Sequence, residues 1–185
     1  MTETGDSLAP SLSIRRATTA DAASLAEFAA RAFRGTYGPG ADPAGGGGSR
    51  ADDVEAYVAA HFGERVQAAE LADGRMVTLV VGDGGAAVVA YAQLVRTHQP
   101  GGDAELARLY VDPGWQGRGL AARLLAAVAG AAGADGAGRL RLAVYQRNAR
   151  AVAFYRRQGF TVAGTAHFQM GAERQDDWIM VRALS

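Results

Sequence analysis

The sequence predicts an α/β domain in which a mixed, mostly antiparallel sheet of six to seven strands carries about four helices. Three observations predict it. Short apolar runs rich in Val, Ile and Leu interleave with longer runs whose apolar residues recur at helical spacing. Two junctions, Asp83-Gly84-Gly85 and the turn around Gly171, are hairpin signals. Finally, Glu105–Ala122 reads ELARLYVDPGWQGRGLAA, which joins a strand, a turn and a helix start in one segment.

Taken in order, residues 1–11 are expected to be a disordered tail and 12–185 one domain. Leu12–Ala17 reads as a short strand. Thr18-x-x-Asp21 is a capping box for a helix with Leu25, Phe28, Ala29 and Ala32 on its inner face. Thr36–Ser49 is a loop, and its Gly45–Gly48 run has the composition of flexible filler. A second helical region spans Arg50–Ala72 with a break at Gly63. Val54, Tyr57, Val58 and Phe62 mark its inner face, and Asp52, Asp53 and Glu55 crowd its first turn as dipole complements. Met76–Val81 and Ala86–Val95 form the first hairpin. Leu106–Val111 is the central strand, stopped by Asp112-Pro113-Gly114. Leu120, Leu124, Leu125 and Val128 then define a helix that ends in an alanine/glycine linker, Gly130–Gly138. Leu140–Tyr145 is the fifth strand and Ala149–Gln158 the fourth helix, stopped by Gly159. Thr161–Phe168 and Asp177–Leu184 close the sheet.

Composition narrows the function. The chain has 185 residues and zero net charge, and every basic residue apart from histidine is arginine. Without a basic excess there is no electrostatic footprint for nucleic acid. The absence of cysteine removes disulfides, thiolate metal sites and a cysteine acyl-enzyme. No metal site is expected. The N-terminal residues lack the basic flank and apolar run of a signal peptide, and no run reaches the ~18 apolar residues of a span. A cytoplasmic protein with no membrane partner is the expectation.

Between the central strand and the next helix lies Gln116-Gly117-Arg118-Gly119-Leu120-Ala121. Glycines let backbone amides approach a ligand, and a helix start adds unpaired N–H groups and a positive dipole end, so the segment suits a pyrophosphate. A Walker A loop would need a lysine that this chain lacks. A dinucleotide fingerprint is present in form as Gly117-x-Gly119-x-x-Ala122, but the next strand ends in Gln146-Arg147 rather than in the acid that fingerprint needs.

The strand, the Asp-Pro turn and Gln-x-x-Gly-x-Ala at a helix start resemble motif A of the GNAT superfamily of N-acetyltransferases. Asn148-Ala149-Arg150-Ala151-Val152-Ala153-Phe154-Tyr155, followed by Gly159-Phe160, matches a second motif of that family at the family's spacing. The resemblance implies a GNAT-like fold with splayed central strands and acetyl-CoA as cosubstrate. It places the pyrophosphate on the amides of Gln116, Gly117, Arg118, Gly119, Leu120 and Ala121. Arg118 and Arg123 either add charge there or face solvent. The backbone of Leu109 and Val111 would bond the pantetheine arm, as would Asn148, a residue that also reads as a plain helix cap. Tyr155 would be the general acid beside the sulfur. Glu105, at the start of the central strand, is the candidate base, or else an exposed strand-end carboxylate.

The C-terminal run, Gly164–Gly171 with Glu173, Gln175, Asp177, Ile179-Met180 and Leu184, resembles the PaiA-type polyamine N-acetyltransferases. Phe33–Tyr37 and Asp53–Phe62 add weaker similarity. The expected partner is a small-molecule amine, with a homodimer left open. A polyamine would need several carboxylates on one cavity, with Asp52, Asp53, Glu55, Glu105 and Asp177 as the candidates. His167 reads as a packed or hydrogen-bonded hairpin residue before it reads as a catalyst. A peptide N-terminal acetyltransferase would share the acetyl-CoA half, and a non-catalytic acyl-CoA-binding module would keep 116–121 without needing Tyr155.

Overall fold

A computed structural model describes residues 12–41, 49–84 and 87–184. The expected tail, the Gly45–Gly48 run and two residues of the first hairpin turn, Gly85 and Ala86, lie outside the described residues. The elements are β1 (Ile14–Arg16), α1 (Ala22–Tyr37), α2 (Ala51–His61), α3 (Glu64–Ala72), β2 (Met76–Gly82), β3 (Val88–Val95), β4 (Asp103–Val111), α4 (Leu120–Ala134), β5 (Arg139–Tyr145), α5 (Ala149–Arg157), β6 (Thr161–Met170) and β7 (Glu173–Ala183). The sheet order is β1-β2-β3-β4-β5-β7-β6. Every neighbouring pair is antiparallel except β4–β5, which is parallel.

Strand alternation sends successive side chains to opposite faces and builds two cores. On one face α4 lays Leu120, Leu124, Leu125 and Val128 over Ala92, Leu94, Leu106 and Leu142. Leu124, Leu125 and Val128 are fully buried, each stabilising the fold by roughly 1.5–3 kcal/mol. On the other face α1 and α2 pack Leu25, Phe28, Phe33, Val54, Val58 and Phe62 against Val80, Val88 and Tyr91.

The Arg50–Ala72 region breaks at the extended Gly63, as expected, into two helices, so that five α-helices flank the sheet among the described residues. Two expectations needed correction. The helix after Gly119 ends within the expected Gly130–Gly138 stretch, but it takes up the first part of that linker. It runs through Gly130 and Gly133 to Ala134, because the buried Val128 and Ala132 outweigh the ~1 kcal/mol of a mid-helix glycine. The central strand starts at Asp103 rather than Leu106, since Asp103–Glu105 pair with Arg139–Arg141, a contact that no local pattern announces. The Thr18–Asp21 capping box forms, but over a short 3₁₀ turn that leads into α1.

Candidate active site

The site begins where the parallel ladder stops. β4 and β5 are in register only over Asp103–Glu105 and Arg139–Arg141, and beyond Glu105 the two strands part. On the other side of β4, pairing with β3 skips Ala107, a bulge that bends the strand. Asp112 N–H donates to Val89 O across 2.9 Å. Main-chain groups alternate in direction along an antiparallel ladder, so the N–H and C=O groups of Leu109 and Val111 point away from β3, into the split. The Val111 carbonyl accepts from Gln116 Nε2 at 3.0 Å, which ties the Gln116–Ala121 segment to the strand.

That segment is shaped by its turn chemistry. Asp112 accepts from Gly114 N–H at 3.0 Å and starts a 3₁₀ turn over Pro113–Trp115. Gly117 and Gly119 both hold φ +78°, a left-handed backbone that side chains resist, and Gly119 is the N-cap of α4. First-turn amides of α4 have no intrahelical carbonyl and face outward beside an exposed 116–119 loop. Arg118 is exposed, its guanidinium 4.9 Å over the Trp115 ring. Arg123 instead donates to the Leu12 carbonyl at 2.9 Å, which fastens the segment just before β1 to α4.

From the far side of the split come Asn148 and Tyr155. Asn148 caps α5, its side-chain oxygen accepting from Ala151 N–H at 3.0 Å. Tyr155, two turns on, packs edge-on against Phe154 and Phe160. Burial, then the nearby Tyr110, pushes its phenol above the ordinary value, so it is a protonated donor at neutral pH.

Helices α1 and α2 bring a further set that the sequence did not single out as site residues. Tyr37 ends α1, with rings of Phe33 and Phe168 at 4.6 and 6.1 Å. Tyr57 lies 5.3 Å from Phe168, and Tyr110 stacks on Tyr91 at 5.7 Å. Burial raises the Tyr37 phenol most, followed by the charges of Tyr110, Asp177, Tyr57 and Tyr155, so these groups share one neighbourhood. Tyr155 belongs to the α4/α5 face and the others to the α1/α2 face; they meet through the split. In the sequence, the resemblance of Phe33–Tyr37, Asp53–Phe62 and Gly164–Gly171 to PaiA-type enzymes covered Tyr37, Tyr57 and Phe168 without singling them out as site residues.

The candidate carboxylates are spread over several elements, with the Asp53 carboxylate of α2 against Gly171 and Asp177 on β7. Glu55 pairs with Arg34 at 2.7 Å on the surface, and Glu105 pairs with Arg141 at 2.7 Å at the last rung of the ladder. Asp52 is exposed on α2. His167 sits on the β6–β7 surface bonded to Asp176 at 2.7 Å. Among the described residues, no three His, Asp or Glu side chains form a metal-binding group, and no helix is long and apolar enough to cross a membrane.

Comparison with known proteins agrees with this geometry. The model of the acetyltransferase (GNAT) family matches residues 49–160, from just before α2 to just after α5. The chain belongs to the GNAT family of acetyltransferases. An uncharacterized N-acetyltransferase of Mycobacterium tuberculosis is 37% identical over 164 residues, covering 89% of this chain and 98% of that protein. The PaiA N-acetyltransferase of Thermoplasma acidophilum, solved in complex with coenzyme A, superposes with a TM-score of 0.75 at 22% identity, over 94% of this chain and 99% of that one. The yncA protein of Salmonella typhimurium, solved with its cofactor acetyl-CoA, gives a TM-score of 0.63 at 23% identity over 94% of each chain. As a GNAT enzyme the protein is an acyltransferase that uses acetyl-CoA.

Proposed function

We propose that this acetyltransferase moves an acetyl group from acetyl-CoA directly onto a primary amine, with polyamines such as spermidine as the acceptor class. The observation that carries the reading is the split between β4 and β5, which has main-chain donors at Leu109 and Val111 along one wall and the Tyr155 phenol arriving from the other face. Gln116–Ala121 would hold the pyrophosphate on amides at the start of α4, and Asn148 the pantetheine arm. Tyr155 would donate its proton to the departing sulfur, whose thiol form ionises near 8.5 by analogy with cysteine.

The acceptor side supports an amine. Tyr37, Tyr57 and Phe168 cluster there, and their ring faces would favour a cation over an anion. The resemblance of residues 164–184 to PaiA-type enzymes points the same way. An alkylammonium with pKa about 10.4 is mostly protonated at neutral pH, so losing its proton costs roughly 4–5 kcal/mol unless a base takes part. Glu105 is one candidate base, and it would first have to loosen its hold on Arg141. The test is thiol release from acetyl-CoA with spermidine, alkyl diamines and short peptides as rival acceptors. Turnover with polyamines and little with peptides is the expected result; turnover with peptides alone would transfer the reading to N-terminal acetylation.

A further inference from the structure

One buried carboxylate oxygen on the acceptor side, Oδ1 of Asp177, has no hydrogen-bonding partner among the described residues. Asp177 lies on β7, opposite Tyr145 of β5 and Ala166 of β6. Strand alternation puts its side chain on the face of Gln175, which reaches Ser49 Oγ at 3.2 Å ahead of α2. Gln175 in turn pairs with Phe168, the ring that meets Tyr37 and Tyr57. Asp177 therefore belongs to the layer of α1 and α2, near the strand ends where β4 and β5 have separated. Tyr37 links the two sides, since its phenol feels both Asp177 and Tyr155. Asp177 Oδ1 is buried and bonds to nothing among the described residues. A buried acceptor left unpaired costs about 1–3 kcal/mol. Such a cost is accounted for if a ligand supplies the missing donor.

We infer that Asp177 is the carboxylate that receives the acceptor's ammonium group and takes its proton, an assignment that rests on the amine-transfer reading above. Glu55 has both oxygens bonded to Arg34, and Glu105, bonded to Arg141 through Oε2 alone, is a solvent-exposed carboxylate whose other oxygen water can reach, so neither matches the buried oxygen of Asp177.

The groups that face Asp177 set its acidity. Burial is the main influence, and Asp176 on the same strand adds to it. Together they lift the carboxyl to about 6, with His167 of β6 partly opposing. Arg174 is bonded to His167, Tyr145 lies opposite on β5, Gln146 donates to the Asp177 carbonyl, and Tyr37 comes from α1. A base near 6 is mostly ionised at neutral pH yet basic enough to accept a proton, the compromise that general-base catalysis favours.

The step then balances. One ammonium proton moves to the Asp177 carboxylate and leaves a nitrogen lone pair. That nitrogen attacks the thioester carbonyl carbon; the C–N bond forms and the C–S bond breaks. Tyr155 gives its hydroxyl proton to the sulfur and recovers one from the new amide nitrogen. Asp177 releases its proton to solvent, so the products are an amide, a thiol and one proton.

The experiment pairs binding with turnover. Spermidine is titrated calorimetrically into the protein saturated with coenzyme A, for wild type and Asp177→Asn. We expect at least tenfold weaker spermidine binding in the variant, with coenzyme A affinity unchanged. In thiol-release assays the wild-type kcat/KM should fall on the acid side with a midpoint near pH 6. In D177N, kcat should drop by about 100-fold and that acid limb should vanish. Asp177→Glu should restore part of both. Wild-type spermidine affinity together with an intact acid limb in D177N would overturn the assignment. A wild-type protein that binds both ligands but releases no thiol would remove the transferase reading instead, and weakened spermidine binding in D177N would still uphold the ammonium contact. If D177N does not fold, a wild-type profile flat between about pH 5 and 8 overturns the proposal.

Discussion

Glu105 and Arg141 meet at the last rung of the parallel β4–β5 ladder, carboxylate and guanidinium 2.7 Å apart. Beyond that rung the strands separate, so the pair closes the bottom of the split. Both side chains are well exposed, at 38% and 45%. Solvent screening then limits the pair to below about 1 kcal/mol. Glu105→Gln should lower the urea midpoint only slightly. A loss of several kcal/mol would mean that the pair holds the fork together.

The left-handed loop offers a test of the cofactor seat. A Cβ at Gly119 meets no neighbouring atom, yet φ is +78°, so the obstacle is backbone strain of roughly 1–2 kcal/mol. Gly119→Ala should therefore raise the Kd for acetyl-CoA by about tenfold. Calorimetric titration checks this, and an unchanged Kd would detach the loop from cofactor binding.

Tyr155→Phe removes the phenolic proton but keeps the ring that packs on Phe154 and Phe160. The expected result is a kcat about 100-fold lower with little change in the KM for acetyl-CoA. Undiminished kcat would remove Tyr155 from the proton path and leave it as a packing residue.

Asp177 also makes a prediction about stability. Its carboxyl rises from 3.8 to about 6 on folding. Between those values the folded protein binds more protons than the unfolded chain, so this group's contribution falls as pH rises from about 4 to 6. Above pH 6 the ionised, partly buried carboxylate is a burden. Asp177→Asn should therefore gain about 1 kcal/mol at neutral pH, after allowance for solvent screening, and almost nothing near pH 4. Urea denaturation at the two pH values decides it; an equal gain at both would place the effect elsewhere.

Much of the scaffold was legible from local chemistry. The Thr18–Asp21 box, the Gly63 break, the Asp112-Pro113 stop and the hairpin at Gly171 all announce themselves by residue type. The inner faces of α1 and α4 follow from apolar spacing, and Leu25, Phe28, Leu124 and Val128 are buried as that spacing requires. The early start of β4 was not legible, because Asp103–Glu105 become strand only by pairing with residues 36 positions away. The same holds for the Glu70–Arg108 pair, two mostly buried side chains with oxygen and nitrogen 2.5 Å apart, with Arg108 lying 4.9 Å over Phe62.

By itself, the sequence determined the α/β class, the glycine turn before α4 and the two motifs that mark an acetyltransferase, because each depends on residues close together in the chain. The tertiary structure decided which carboxylates are spoken for. Arg34 and Arg141 reach Glu55 and Glu105 across long separations and pair with them. Burial among distant elements, which leaves Asp177 beside Tyr37 with an unpaired oxygen, arises only once the chain has folded.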